Sequence, residues 1–91
     1  MYYVYILISL KDGNLYTGST PNLKTRLKRH NLGYVISTKN RRPLKLIYYE
    51  CYSNSVDAKK REQYLKGGNG HEQTKIQLKQ TLKIVNYKHR Y

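Results

Sequence analysis

Apolar and polar positions in the first part of the chain follow the pattern of a β-hairpin. Tyr2 to Leu10 is rich in β-branched and aromatic side chains, and the polar run Lys11 to Asn14 after it has the composition of a tight turn. Leu15 to Ser19 then resumes a strand-like pattern. Because Tyr3 to Ile8 is apolar almost without a break, we expect the first strand to be central and covered on both faces.

A helix is predicted after the hairpin. Thr20 can cap this helix with its hydroxyl, and Pro21 suits the first helical position, where a missing N–H costs nothing. Leu23 and Leu27 recur at helical spacing and are expected to face the core. The segment from Asn31 to Gly33 offers a C-terminal stop.

The remaining segments predict a loop, a strand and two further helices. Residues 34–43 form a polar, basic loop, residues 44–52 have strand-like composition, and residues 53–55 offer N-cap side chains for a helix over 56–66. The glycine-rich run 67–70 should break that helix, and a third helix is predicted from Thr74 to Val85. We therefore expect a single domain over residues 1–85 and a basic C-terminal tail over 86–91.

One carboxylate in the second predicted helix falls on its apolar stripe. Ala58, Glu62 and Leu65 are spaced i, i+4 and i+7, which turns the Glu62 side chain towards the core. A buried carboxylate needs a partner. Two interpretations stay open, since Glu62 could form a salt bridge with a basic neighbour or could bind a metal ion.

Composition narrows the class of partner. The chain of 91 residues has 18 Lys and Arg against five Asp and Glu, a formal charge of +13, which favours a polyanion through phosphate contacts and counterion release. Nucleic acid is the leading partner, although a ribosomal protein or an anionic membrane surface would carry similar charge. The single Cys51 excludes an internal disulfide and a multi-cysteine zinc site, so we expect a cytoplasmic protein. The first apolar run is too short to span a membrane.

Several motifs that would carry enzyme chemistry are missing. The sequence has no P-loop, no Rossmann glycine fingerprint, no zinc-spaced Cys and His set and no nucleophile elbow. Arg26 and His30 instead lie one helical turn apart, beside the predicted apolar face. A guanidinium and an imidazole in that position could meet a phosphate.

A longer pattern adds to this pair. Tyr3-Val4-Tyr5 is followed after the hairpin turn by Tyr16-Thr17-Gly18, then by Arg26 and His30 on one helix and Glu62 on a later one. In order and spacing this resembles the GIY-YIG nuclease domain, from Tyr3 to about residue 82. Three residues depart from the eponymous triplets, in strand positions outside the proposed chemistry. The extent is similar to the catalytic domains of phage homing endonucleases and the excision-repair incision nuclease, and the chain looks like a small stand-alone member.

The resemblance implies an α/β (α+β) fold, with a small three-stranded antiparallel sheet flanked by about three helices, and phosphodiester hydrolysis as the reaction. Tyr5 would help to activate the attacking water, and Tyr16 would orient that water or the scissile phosphate. Arg26 would stabilise the phosphorane charge, and His30 would accept or relay a phenol proton. Glu62 would hold a divalent cation, Mg²⁺ or alternatively Mn²⁺.

General chemistry is compatible with these roles. A phenol has a pKa of about 10 and needs neighbouring cations to act as a base near neutral pH. Taken singly, Tyr5 and Tyr16 could equally be packed strand residues, Arg26 a phosphate-positioning cation, and His30 a partner of the helix dipole.

Two functional hypotheses follow. The first is a metal-dependent endonuclease acting on DNA, structure-directed or weakly sequence-specific, and the second is a non-catalytic nucleic-acid-binding module of the same fold. No part of the chain is left for a recognition domain, so a protein partner would have to supply specificity. The residues expected to contact nucleic acid are Lys24, Lys28, Arg29, Lys39, Arg41 and Arg42.

Overall fold

Three strands and four α-helices make up residues 1–85, the part of the chain that the computed structural model describes. The predicted basic tail, residues 86–91, lies outside the described residues. In chain order the elements are β1 (Tyr2–Ser9), β2 (Leu15–Thr20), α1 (Leu23–Leu32), a 3-10 turn (Lys39–Arg41), β3 (Leu44–Tyr52), α2 (Ser55–Lys66), α3 (Gly68–Gln77) and α4 (Lys79–Ile84).

The sheet is antiparallel, with strand order β2-β1-β3. Strand β1 is central, and its residues from Val4 to Ser9 are all buried, as the unbroken apolar run predicted. The three-stranded α+β fold expected from the sequence is therefore confirmed. In the register of the sheet, Tyr5 stands opposite Gly18 of β2 on one side and Tyr49 of β3 on the other.

Helix α1 covers one face of the sheet. Because successive side chains of a strand point to opposite faces, Tyr5 and Leu7 of β1 share this side with Leu44 of β3. Leu23 and Leu27 of α1 pack against this cluster, as their spacing predicted.

Helix α2 covers the other face. Val4 and Ile6 of β1 pack there against Ala58 and Leu65 of α2. Strand β1 therefore contributes side chains to the cores on both faces of the sheet.

The start of α1 differs from the prediction. Asn22 is the N-cap, with its side-chain oxygen accepting a 3.1 Å hydrogen bond from the Thr25 N–H, so the assignment of Thr20 as the cap and Pro21 as the first helical residue was wrong. The Thr20 hydroxyl instead accepts a 3.2 Å hydrogen bond from the Asn22 backbone N–H. At the other end Gly33 adopts a φ of 84° as the predicted C-terminal stop.

The C-terminal helices also differ. Helix α2 begins after the Asn54 cap, within the predicted capping cluster, and ends at Lys66. The prediction of a single helix from Thr74 to Val85 was wrong. Helix α3 already begins at Gly68, and Leu78 interrupts the helical conformation before α4. A Cβ at Gly70 would lie 2.9 Å from the Leu65 Cα and would overlap the Tyr64 carbonyl. Gly70 thus permits close packing of α3 against α2.

Candidate active site

The phenol of Tyr5 is the centre of a buried polar cluster between β1 and α1. Tyr5 is 1% exposed, and its hydroxyl forms a 2.8 Å hydrogen bond with Nε2 of His30. Gly18 lies directly opposite on β2, and a Cβ there would stand 2.5 Å from the Tyr5 hydroxyl oxygen. A residue without a side chain at position 18 is therefore required for the phenol to take this place.

His30 is held by hydrogen bonds at both ring nitrogens. It has no solvent exposure, and Nδ1 lies 2.7 Å from Oγ1 of Thr38 in the loop after α1. Burial, together with the nearby charge of Arg26, lowers the pKa of His30 to about 4. The imidazole is therefore neutral near pH 7, and the contacts are satisfied if Nε2 accepts from Tyr5 while Nδ1–H donates to Thr38.

Tyr16 and Arg26 complete this cluster. The ring centroid of Tyr16 is 6.4 Å from that of Tyr5 and 5.2 Å from that of His30. Nε of Arg26 is buried and has no hydrogen-bond partner among the described residues. Since the Arg26 side chain is only partly buried, a small shift of it would let this donor meet an anionic oxygen.

Charges around Tyr5 act in opposite directions. Burial raises the pKa of the Tyr5 phenol, and the neighbouring Arg26 guanidinium opposes that rise. The pKa of Arg26 is raised chiefly by its contact with the Tyr5 phenol. Near neutral pH the unliganded cluster thus holds a neutral phenol, a neutral imidazole and a guanidinium cation.

Glu62 lies on the other side of β2. It is 5% exposed and accepts a 2.5 Å hydrogen bond from the Ser19 hydroxyl, while Lys66 at 2.7 Å and Lys59 at 3.2 Å form ion pairs with it. Burial opposes its ionisation, but Lys66, Ser19 and Lys59 outweigh burial, so the pKa of Glu62 is lowered. The salt-bridge partners that a core-facing carboxylate requires are present.

The same carboxylate has the chemistry of a metal ligand. The Glu62 carboxylate and the Ser19 hydroxyl together offer oxygen atoms, which Mg²⁺ prefers. Side chains of Lys59 and Lys66 are 64% and 51% exposed, so both can move aside for a cation. Residues 1–85 contain no group of three His, Cys, Asp or Glu side chains placed to hold a metal, so water and phosphate would supply the other ligands.

The site residues predicted from the sequence fall into two groups across the edge strand β2. Tyr5, Tyr16, Arg26 and His30 meet on the α1 side, and Glu62 contacts Ser19 on the α2 side. The groups are within electrostatic reach, because the charge of Glu62 raises the pKa of Tyr5.

Four residues of the site were missed by sequence reasoning. Gly18 was noted only as part of a triplet, although a glycine in a strand can indicate that another group packs closely against the backbone there. The other three residues reach the site through tertiary contacts, which no local sequence pattern indicates. They are Ser19, Ser37 and Thr38.

The cations expected to contact nucleic acid do not all have free head groups. Arg41 donates to the Asp12 carboxylate at 2.6 Å and 3.3 Å, which fastens the 3-10 turn to the β1–β2 turn. The guanidinium carbon of Arg29 lies 5.5 Å from the Tyr34 ring centroid, and Nε of Arg42 donates to the Lys39 carbonyl. Exposed residues of this group are Lys24, Lys28, Arg29, Lys39 and Arg42.

Comparison with known families agrees with this geometry. The sequence model of the GIY-YIG catalytic domain matches residues 1–77. The chain belongs to the GIY-YIG family. The resemblance noted in the sequence is thereby confirmed, and the GIY-YIG domain includes every element up to α3.

Small relatives match this GIY-YIG chain over much of its length. A UPF0213 protein of Clostridium perfringens is 41% identical over 88 residues, which cover 96% of this chain and 94% of the relative. A UPF0213 protein of Staphylococcus haemolyticus is 44% identical over 66 residues, covering 71% and 79%. A third, from Bacillus licheniformis, is 46% identical over 66 residues, covering 71% and 67%.

Family membership places the chain in a nuclease family whose members generally use divalent metals and whose substrates are nucleic acids. Within the described part of the chain, no helix is both long and apolar enough to cross a bilayer.

Proposed function

We propose that this GIY-YIG domain is a cytoplasmic, divalent-metal-dependent endonuclease that hydrolyses phosphodiester bonds in DNA and selects its sites by structure more than by sequence. The observation that carries the proposal is the buried Tyr5–His30 pair beside the unpartnered Nε of Arg26. A packed strand tyrosine would need neither a neutral imidazole acceptor nor a guanidinium next to it.

The reaction begins with a water molecule beside the Tyr5 oxygen. As this water attacks phosphorus, its proton passes to the Tyr5 oxygen, and the phenol proton passes to Nε2 of His30. The bond from phosphorus to the leaving oxygen breaks, and that oxygen takes a proton from solvent. Because the pKa of His30 is low and that of Tyr5 is high, the phenol proton moves only together with the attack.

Arg26 and Tyr16 act on the phosphate. We expect the Arg26 Nε–H, after a small shift of its side chain, to donate to a non-bridging oxygen as negative charge develops there, and Tyr16 to orient the phosphate or the water. Glu62, assisted by Ser19, would hold the divalent cation, Mg²⁺ or Mn²⁺, which supplies charge neutralisation at the scissile phosphate.

The exposed cations hold the DNA backbone. Lys24, Lys28, Arg29, Lys39 and Arg42 make contacts that depend on charge and not on base sequence, while Arg41 positions its loop. A protein partner supplies any stricter specificity.

A second candidate function has one observation in its favour. The Glu62 carboxylate already has two ion-pair partners and a hydrogen-bond donor, which is what a purely structural carboxylate would have. A non-catalytic nucleic-acid-binding module of the same fold would keep these contacts.

A cleavage assay separates the two. Labelled duplex, single-stranded, flapped and branched DNA, with RNA counterparts, is incubated with the protein in Mg²⁺, in Mn²⁺ and in EDTA. We expect metal-dependent products from the wild type and none from Glu62→Gln, with DNA affinity changed by less than about three-fold, since the carboxylate acts in the reaction more than in binding.

Glu72→Gln is the matched control, because Glu72 is 67% exposed and forms an ion pair with Lys75 on the surface of α3. It should cleave like the wild type. Binding without products in every lane would establish the non-catalytic module instead.

A further inference from the structure

A β-turn beside the active site carries a solvent-exposed isoleucine at its tip. The turn runs from Val35 to Thr38 and is closed by a 3.1 Å hydrogen bond from the Thr38 N–H to the Val35 carbonyl. Ile36 occupies its second position and is 91% exposed, more than any other large hydrophobic residue described in the structure.

Both sides of this turn are fixed. Val35 is 7% exposed and anchors the turn in the interior. Thr38 contacts Nδ1 of His30 at 2.7 Å, and the Ser37 hydroxyl donates to the Tyr16 hydroxyl at 3.4 Å. The isoleucine between these anchors is therefore held at a defined place next to the catalytic phenols.

Folding gives no reason for an isoleucine at this position. Tight turns favour Gly, Pro, Asn, Asp and Ser, and a β-branched side chain contributes nothing to the turn itself. Ile36 also buries almost none of its surface, so it adds little to the core. Single exposed hydrophobic residues are ordinary on protein surfaces, and it is the location beside the site that distinguishes Ile36 from Ile76 and Ile84 on α3 and α4.

The surroundings of the turn are basic. Lys39 and Arg42 follow it with exposed side chains, and Arg29 lies over the ring of Tyr34 just before it. Cations on both sides attract a polyanion, whereas an apolar tip between them fits the apolar faces of stacked bases.

We propose that Ile36 is a wedge that enters the base stack next to the scissile phosphate and opens the step there, an inference that rests on the nuclease function proposed above. Proteins that kink DNA insert apolar side chains between base pairs and thereby partly unstack them. Flexible pyrimidine–purine steps, mismatches and flaps open at lower cost, so the wedge gives the enzyme its preference for structure over sequence.

Cleavage rates of two substrates test the wedge. One is a continuous duplex, and the other has the same sequence with unpaired bases at the cleavage site. Ile36→Ser should slow cleavage of the duplex by roughly ten-fold or more, and that of the opened substrate by less than roughly two-fold, because only the closed step has to be unstacked. Ile84→Ser, the same change at an 80% exposed isoleucine on α4, should alter neither rate.

A binding measurement gives a readout that does not need cleavage. Duplexes with 2-aminopurine at successive positions are bound in EDTA, with occupancy followed by fluorescence anisotropy. The wild type and Ile84→Ser should raise 2-aminopurine emission at one position, and Ile36→Ser should not. Equal emission with Ile36→Ser, or equal slowing on both substrates, would overturn the wedge while leaving the nuclease intact. A wild type that cleaves nothing in the presence of metal would instead overturn the proposed function.

Discussion

His30 is an imidazole with no solvent contact, held by a phenol at one nitrogen and a hydroxyl at the other. A protonated ring would have two donors, and Nε2–H could be accepted only if the Tyr5 hydroxyl gave up its role as donor. The cluster therefore selects the neutral form, and the low pKa of His30 follows from this burial and from Arg26.

Acid stability tests the environment of His30. The ring has a pKa of about 4 in the folded protein, against 6.5 as its usual value, so below 6.5 the unfolded chain takes up the proton first. The contribution of the neutral His30 to stability is fully present above pH 6.5 and is lost as the pH falls towards 4. We expect the free energy of unfolding to decrease by about 2 kcal/mol between pH 7 and pH 5 through His30, measured by urea denaturation.

His30→Gln is the control for this titration. The carboxylates Asp12, Glu50 and Glu62 have lowered pKa values and titrate below this window. The variant should therefore be less stable at neutral pH yet nearly independent of pH from 7 to 5. If the wild type and the variant lost equal stability over this range, His30 would not be the neutral buried acceptor described here.

At the scale of elements, the pairing of β1 with β2 fixes the geometry of the two phenols. Tyr5 faces Gly18, and a Cβ at Gly18 would meet both the Tyr5 hydroxyl at 2.5 Å and the Tyr16 ring at 3.2 Å. The absence of a side chain at Gly18 thus lets the Tyr5 and Tyr16 rings pack together over β2.

Gly18→Ala should displace the phenols without changing any polar group. We expect a loss of about 2 kcal/mol in the free energy of unfolding from overpacking, and roughly a hundred-fold loss of cleavage because the reacting groups move. Gly68→Ala serves as the control, since no atom lies within 4 Å of a Cβ there, and it should fold and cleave normally. Full activity and stability of Gly18→Ala would show that the phenols need no such fit.

Strands were predicted from the sequence more accurately than helix ends. The third strand was placed at its observed bounds because composition and flanking turns agree, and the central strand followed from its unbroken apolar run. The start of α1 depended on a competition between Thr20 and Asn22, which spacing alone does not resolve. The helical glycines at 68 and 70 were read as a loop because glycine disfavours helices, whereas the close approach of α2 at Gly70 favours a glycine within the helix.

The positions of the proposed site residues could be predicted from the sequence where those residues belong to regular elements. Helical spacing alone placed Arg26 beside His30 and turned Glu62 to the interior, and both features are present. The family motif led to Tyr5 and Tyr16. Thr38 and its neighbours could not be predicted, because no local pattern shows that the loop returns to the face of His30.

At the scale of the whole molecule, the few acidic residues are used within the fold. Ion pairs join four of the five acids to basic side chains among the described residues, namely Asp12 to Arg41, Glu50 to Arg61, Glu62 to Lys59 and Lys66, and Glu72 to Lys75. The fifth, Asp57, lies in the first turn of α2, where a negative charge favours the helix. The chain keeps a formal surplus of +13, which attracts a polyanion.

We propose that the Tyr5 phenol takes part in the reaction and is more than a packed side chain, and Tyr5→Phe separates these two roles. Phenylalanine keeps the ring in the core and removes only the hydroxyl that contacts His30. We expect DNA affinity to change by less than about two-fold and metal-dependent cleavage to fall by roughly a hundred-fold, in line with loss of a general acid–base group. Tyr3→Phe, on the same face of β1, should cleave like the wild type. Wild-type cleavage by Tyr5→Phe would show that the Tyr5 hydroxyl takes no part in the reaction and that Tyr5 is a packed strand residue.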